Sequence, residues 1–173
     1  MIKQSAFFLL AWLFLCSSAH ALSLSSSDID RFISTTQLLT PYLDAMDDDD
    51  DMDDEDIEIF NVERIKKLIV DSVSESKDMT KIVKANGYHS VDAYAEQYAI
   101  IMMAYLVTSG REQFRELELE MEIMDAEQRR DFESSPLFHM LSLLKKQFDS
   151  VPESHIKAIA PYMLQLSDVF EVP

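Results

Sequence analysis

Apolar residues recur at three- and four-residue intervals along most of this chain, the spacing of helices that turn one face to a core. Ile29, Phe32, Ile33 and Leu39 share one face of a first helix, which Ser27 would cap with Asp30 in its opening turn. Pro41 then bends or restarts the chain. Ile57, Phe60, Ile65, Leu68, Ile69 and Val73 predict a second helix over 57–74. Met79, Ile82 and Val83 mark a shorter one over 77–85, stopped at Asn86-Gly87, where glycine can take the left-handed conformation that ends helices.

Ser90 caps the next helix, expected over 91–109 with Tyr94, Tyr98, Ile101, Met102, Tyr105 and Leu106 on its face. Residues 100–105 are apolar nearly all round, which predicts a central, enclosed helix closed by Gly110. A charged amphipathic helix follows over 111–124 with Phe114, Leu117, Met121 and Met124 at heptad-like spacing, and Asp125 caps a further turn or two to about residue 132. Ser134-Ser135-Pro136 is a start signal, proline being favoured at the first helical position. The helix it opens, to about residue 148, carries Leu137, Met140, Leu141, Leu144 and Phe148. Pro152 begins a last segment lined by Ile156, Ile159, Met163, Leu166 and Phe170 and kinked at Pro161.

No stretch alternates with the period of a strand, and two glycines leave little for tight hairpins. The expectation is an all-α fold, a compact bundle of six or seven helices around a central apolar helix at about 91–109. Its predicted core includes Phe32, Leu68, Ile69, Tyr98, Ile101, Met102, Leu141 and Phe148.

Two segments break the helical pattern. Residues 1–21 carry Lys3, an apolar run from Ala6 to Cys16, and Ala19-x-Ala21, the small-x-small pattern of a cleaved secretory signal. That run is 11 residues long, whereas a membrane-spanning helix needs about 20. A single helical domain over 22–173 is therefore expected, exported and periplasmic. Cys16 is the only cysteine, so the mature domain would hold neither disulfide nor thiolate. The second segment is 47–56, where nine of ten residues are acidic. Self-repulsion and the weak helix propensity of Asp predict a disordered connector over 44–56.

The chain has 15 basic and 32 acidic residues and a net charge of −17; losing Lys3 with the signal makes it −18. Such a charge repels nucleic acid and anionic lipid, so neither nucleic acid binding nor stable membrane insertion is expected. It favours cations and proteins or peptides with basic surface.

Candidate chemistry is thin. Asp47, Asp49, Asp51 and Glu58 fall on positions 1, 3, 5 and 12 of an EF-hand loop, but position 6 is Met52, where that loop needs glycine. Loose association of Ca²⁺ or Mg²⁺ with the run is the metal chemistry it supports. His89, His139 and His155 lie on separate segments in no zinc-binding spacing, each read as a surface or cap residue. The methionines at helical spacing read as adaptable packing. No nucleophile elbow, Ser-x-x-Lys pair or phosphate-binding glycine loop occurs. The chain is therefore expected not to be an enzyme and to need no cofactor. Tyr88, His89 and Tyr94, around the Gly87 turn, are the candidate binding surface.

Gly87-Tyr88-x-Ser90-x-x-x-Tyr94-Ala95, then Ile101-Met102-x-Ala104-Tyr105 and Pro161-Tyr162-Met163-x-x-Leu166, resemble uncharacterised small helical periplasmic proteins of Gram-negative bacteria. The matched motif covers about 20 residues near the middle of the chain and a few at its end. The resemblance implies a periplasmic helical domain and no activity, and it transfers no site residue. The chain departs from that pattern at Tyr94, where tryptophan is frequent, and in its acidic insert at 47–56.

The functional expectation is an exported, non-enzymatic binding protein that engages a protein, peptide or other cationic partner through a Met- and aromatic-rich helical surface. A divalent-cation-responsive protein using 47–56 is the second reading. An enzyme assembled from scattered carboxylates and His89 is the third.

Overall fold

The computed structural model describes residues 24–43 and 61–170. The signal residues Ala19 and Ala21 and the acidic run with Asp47, Asp49, Asp51 and Glu58 lie outside the described residues. Within them the chain is all-α: α1 (Ser26–Leu43), α2 (Val62–Glu75), α3 (Lys77–Ala85), α4 (Val91–Ile123), α5 (Ala126–Glu133), α6 (Pro136–Asp149), α7 (Glu153–Ile159), a 3₁₀ turn (Ala160–Tyr162) and α8 (Met163–Phe170). No described helix is long and apolar enough to cross a membrane.

Most helix ends are set by local chemistry. Ser76, Ser90 and Ser135 each accept a backbone N–H of the first turn they cap, and Asp125 forms a reciprocal capping box with Gln128. Helix α3 ends in a Schellman motif: Gly87 takes φ +88°, its N–H reaches the Lys84 carbonyl, and the Tyr88 N–H reaches that of Val83. Helix α1 starts on Ser25 rather than Ser27. The Ser25 hydroxyl accepts the Asp28 N–H at 3.2 Å while the Asp28 carboxylate accepts the Ser25 N–H at 3.1 Å. Pro41 neither ends nor restarts that helix, because it sits in the last turn. Helix α2 begins at Val62 on an Asn61 cap, later than the apolar spacing suggests.

The largest departure from expectation is at Gly110. The helix expected to close there runs on for a further 13 residues to Ile123, so the predicted helices 91–109 and 111–124 are one, α4. Glycine serves approach here, not termination. A Cβ on Gly110 would stand 3.0 Å from the Phe148 ring, which packs over that point of the helix.

The N-terminal half of α4 is the axis of the bundle. Tyr94, Ile101, Ala104 and Tyr105 join Ile29, Phe32 and Leu39 of α1, Val73 of α2, Met79 and Val83 of α3, Ile159 of α7 and Leu166 of α8 in one core. A second face of the same helix, Ala99 and Met103, packs with Ile65 of α2. Aromatic rings tie the layers together: Phe32 lies edge-on to Tyr98 at 5.6 Å, and Tyr98 edge-on to Phe170 at 5.5 Å. Phe32 and Ile101 are buried as predicted. Ile69, Tyr98, Met102, Leu141 and Phe148 are half-buried, and Met103 rather than Met102 is enclosed. Leu68 is 44% exposed, because α2 turns Ile65 and Val73 inward and Leu68 lies off that line.

Beyond residue 107 the architecture changes. The distal part of α4, with α5 and α6, forms an arm in which no residue from 108 to 150 is fully buried. It is held by ring pairs, Phe114 with Phe148 at 5.1 Å and Phe132 with Phe138 at 5.6 Å.

Candidate functional site

The residues singled out around the Gly87 turn are brought together, but mostly inside the molecule. Tyr88 is 5% and Tyr94 1% exposed, and of the three only His89 reaches the surface. Tyr94 lies against Phe32 and Tyr88, and its hydroxyl is 3.0 Å from Thr36 Oγ1. Thr36 gives its own proton to the Phe32 carbonyl, so Tyr94 is the donor in that pair. Gln97, buried at 3%, joins the turn to α1. Its Oε1 accepts from the Tyr88 hydroxyl at 2.7 Å and from Arg31 at 3.4 Å, and its Nε2 donates to the Asp28 carbonyl at 2.8 Å. The Arg31 guanidinium also stacks on the Tyr88 ring, 4.5 Å from its centroid. Burial pushes the phenols of Tyr88, Tyr94 and Tyr98 above their ordinary pKa. Apart from Arg31 Nε, which is buried without a partner, its polar atoms are satisfied internally, and the network organises α1 against α4 rather than presenting groups to a ligand.

His139 is exposed, whereas His155 is buried at 6% in α7, not a surface residue as its sequence context suggests. The apolar periodicity of α7 fixes this, since Ile156 and Ile159 must face the core and carry His155 in beside them.

A concave feature lies elsewhere among the described residues, where the arm leaves the bundle. A half-open groove of about 500 Å³ runs between α4, the end of α6 and the start of α7. Its apolar lining comes from Val107 and Phe114 on α4, Phe148 on α6, Val151 in the connection and Ile156 on α7. Val107 and Phe114 stand seven residues apart, two turns along one side of α4. The α6–α7 connection is set by turn hydrogen bonds, Val151 N–H to the Phe148 carbonyl and His155 N–H to that of Pro152. These place Val151 and Ile156 opposite α4.

Charge stands at the rim. Arg111 of α4 reaches Glu153 of α7 at 3.2 Å across the groove mouth, and Lys145 of α6 pairs with Glu118 of α4. The Glu118 hydrogen bond holds the Lys145 ammonium above its usual pKa. Both pairs are more than half exposed, so they orient helices more than they stabilise them. Among the described residues no group of three His, Cys, Asp or Glu side chains could hold a metal. What the groove offers is apolar contact area, two phenyl rings and a rim of ion-pairing groups, within the size range of ligand sites.

Neither Arg111 nor Glu153 was a candidate from sequence. They are 42 residues apart and meet only because α4 continues through Gly110 and the chain returns along α6. Phe114 and Phe148 were visible as apolar helix positions, but their shared place in a groove was not. No known protein family, no curated protein and no solved structure matches the chain.

Proposed function

We propose that this chain is an exported, non-enzymatic binding protein that engages a protein or peptide with basic surface at the groove and arm. The observation that carries this reading is the groove itself. Phe114 and Phe148 line it from an arm with no fully buried residue, and Val151 and Ile156 line it from the α6–α7 connection and α7. Apolar side chains left half-covered beside a charged rim are the composition of an interaction site. The net charge of −17 selects cationic partners and repels nucleic acid and anionic membrane surfaces. The apolar run before Ala19-x-Ala21 supports export to the periplasm.

A photo-crosslinking residue placed at Asp149, on the groove rim, tests the site in producing cells. One at Lys67, on the outer face of α2, is the control. Adducts with a discrete partner from Asp149 and none from Lys67 support the reading. The same adducts from both positions, or none from Asp149, overturn it. Export is read separately: the N-terminus of the protein recovered from the periplasm should begin at Leu22, and a chain that keeps residues 1–21 contradicts the signal.

A further inference from the structure

We infer that the outer face of the distal part of α4 docks a basic amphipathic helix; this rests on the binding reading above and names the partner's chemistry. Glu116, Leu119, Glu120 and Ile123 stand at i, i+3, i+4 and i+7, so they form one stripe along the helix. All four are exposed, Leu119 at 54% and Ile123 at 85%. The opposite side of the same helix is occupied, since Phe114 packs on Phe148 and Glu118 pairs with Lys145 of α6. The stripe is therefore a second apolar line on a helix whose first line is already covered.

Charge decides what covers it. Arg111 is engaged with Glu153 and Arg115 with Glu112, so the two cations of the distal helix are held within the chain. Glu116 and Glu120 have no basic partner among the described residues. A second copy laid along the stripe would set carboxylates against carboxylates, and an anionic lipid surface would be repelled in the same way. A helix with apolar residues at the matching i, i+3, i+4, i+7 spacing and Lys or Arg beside them satisfies both features. Its apolar side chains cover Leu119 and Ile123, and its cations meet Glu116 and Glu120.

The probe is a labelled Leu/Lys peptide of about 18 residues with leucines at that spacing, long enough to gain helix on binding. A scrambled isomer of identical composition is its control. Anisotropy and circular dichroism are measured against the full chain at low and high salt. The patterned peptide is expected to bind at least about tenfold more tightly than the isomer and to become helical, an energy difference of about 1.4 kcal/mol. Leu119→Ser with Ile123→Ser should weaken it about tenfold, and Glu116→Gln with Glu120→Gln should weaken it several-fold and flatten its salt dependence. All four positions are exposed, so the helical spectrum of each variant should match the parent. Equal binding of the isomer overturns the proposal, because bulk charge then explains the association. Binding that survives the stripe variants and is lost in Phe148→Ser also overturns it, moving the peptide to the groove and leaving the proposed function in place. Absence of peptide binding with Asp149 adducts retained overturns the stripe alone; absence of both overturns the two readings together.

Discussion

Gly110 and Phe148 are fitted to each other: the ring of Phe148 lies where a side chain on Gly110 would begin, 3.0 Å from the position a Cβ would take. This contact lets the two helices of the arm approach at the point where the groove opens. Two effects oppose one another in Gly110→Ala. Alanine gains about 1 kcal/mol of helix propensity, and the Phe148 ring must shift by a few tenths of an ångström. The ring is half-buried beside an open groove, so it has room to move. Gly110→Ala is expected to leave stability unchanged or raise it by less than about 1 kcal/mol, while Gly110→Val displaces the ring and costs about 2 kcal/mol. Urea denaturation of the two variants checks this; a loss above about 1 kcal/mol for alanine would show a ring that cannot yield.

Gln97 is the polar joint of the bundle. Truncation to alanine strands the Tyr88 hydroxyl and removes the amide's bond to the Asp28 carbonyl. The expected cost is about 2–3 kcal/mol, more than a surface substitution and less than the loss of a large core side chain. Gln97→Glu restores the acceptor for Tyr88 but not the donor for Asp28, so it should recover only part of that stability. Thermal denaturation near neutral pH orders the three proteins, and equal melting temperatures for parent and Gln97→Ala would show that water replaces the amide.

The features legible in the sequence are those that depend on near neighbours. Ser90, Asp125 and Ser135 cap helices because their side chains reach the N–H groups two or three residues on. The end of α3 needs only Gly87 at positive φ. Gly110 reads as a helix end in the sequence because a glycine that ends a helix and one that admits a neighbouring ring look alike until the neighbour is known. The apolar spacing of α2 allows more than one inward line, including one through Leu68, and contact with Ala99 and Met103 selects that of Ile65. The local turn places Tyr88 and Tyr94 at the surface, yet Phe32 of α1 packs on Tyr94 and Gln97 of α4 bonds Tyr88 inside the molecule. The groove depends wholly on the long return of α6, so no local pattern carries it.

Alkaline pH should unfold the bundle through its tyrosines. Burial raises the pKa of Tyr88, Tyr94 and Tyr98 in the folded state above the ordinary value near 10 that they regain on unfolding. The folded state therefore binds more protons in this range, and its stability falls as pH rises above about 10. The contribution is fully present below that pH. Phenolate absorbance from these three should therefore appear together with loss of the helical signal. Ionisation of all three with the helices intact would contradict their enclosed positions.

The arm should open more easily than the bundle it grows from. All the fully buried residues of α4 lie between Tyr94 and Val107, and neither α5 nor α6 has one. Local opening free energy follows buried apolar contact, so amides of 111–149 are expected to exchange with solvent at least about tenfold faster than those of 94–107. Phe148→Ala sharpens the comparison. It removes the ring that covers Gly110 and stacks on Phe114, without touching the Phe32, Tyr94 and Tyr98 cluster. Exchange should then accelerate through the arm and stay unchanged around Ile101 and Ala104. Uniform acceleration along all of α4 would instead mean that the continuous helix passes the disturbance through Gly110 and that arm and bundle open as one unit. The same experiment bears on binding: a partner that covers the arm should slow exchange there first, because a segment that opens at low free energy gains the most protection when it is covered.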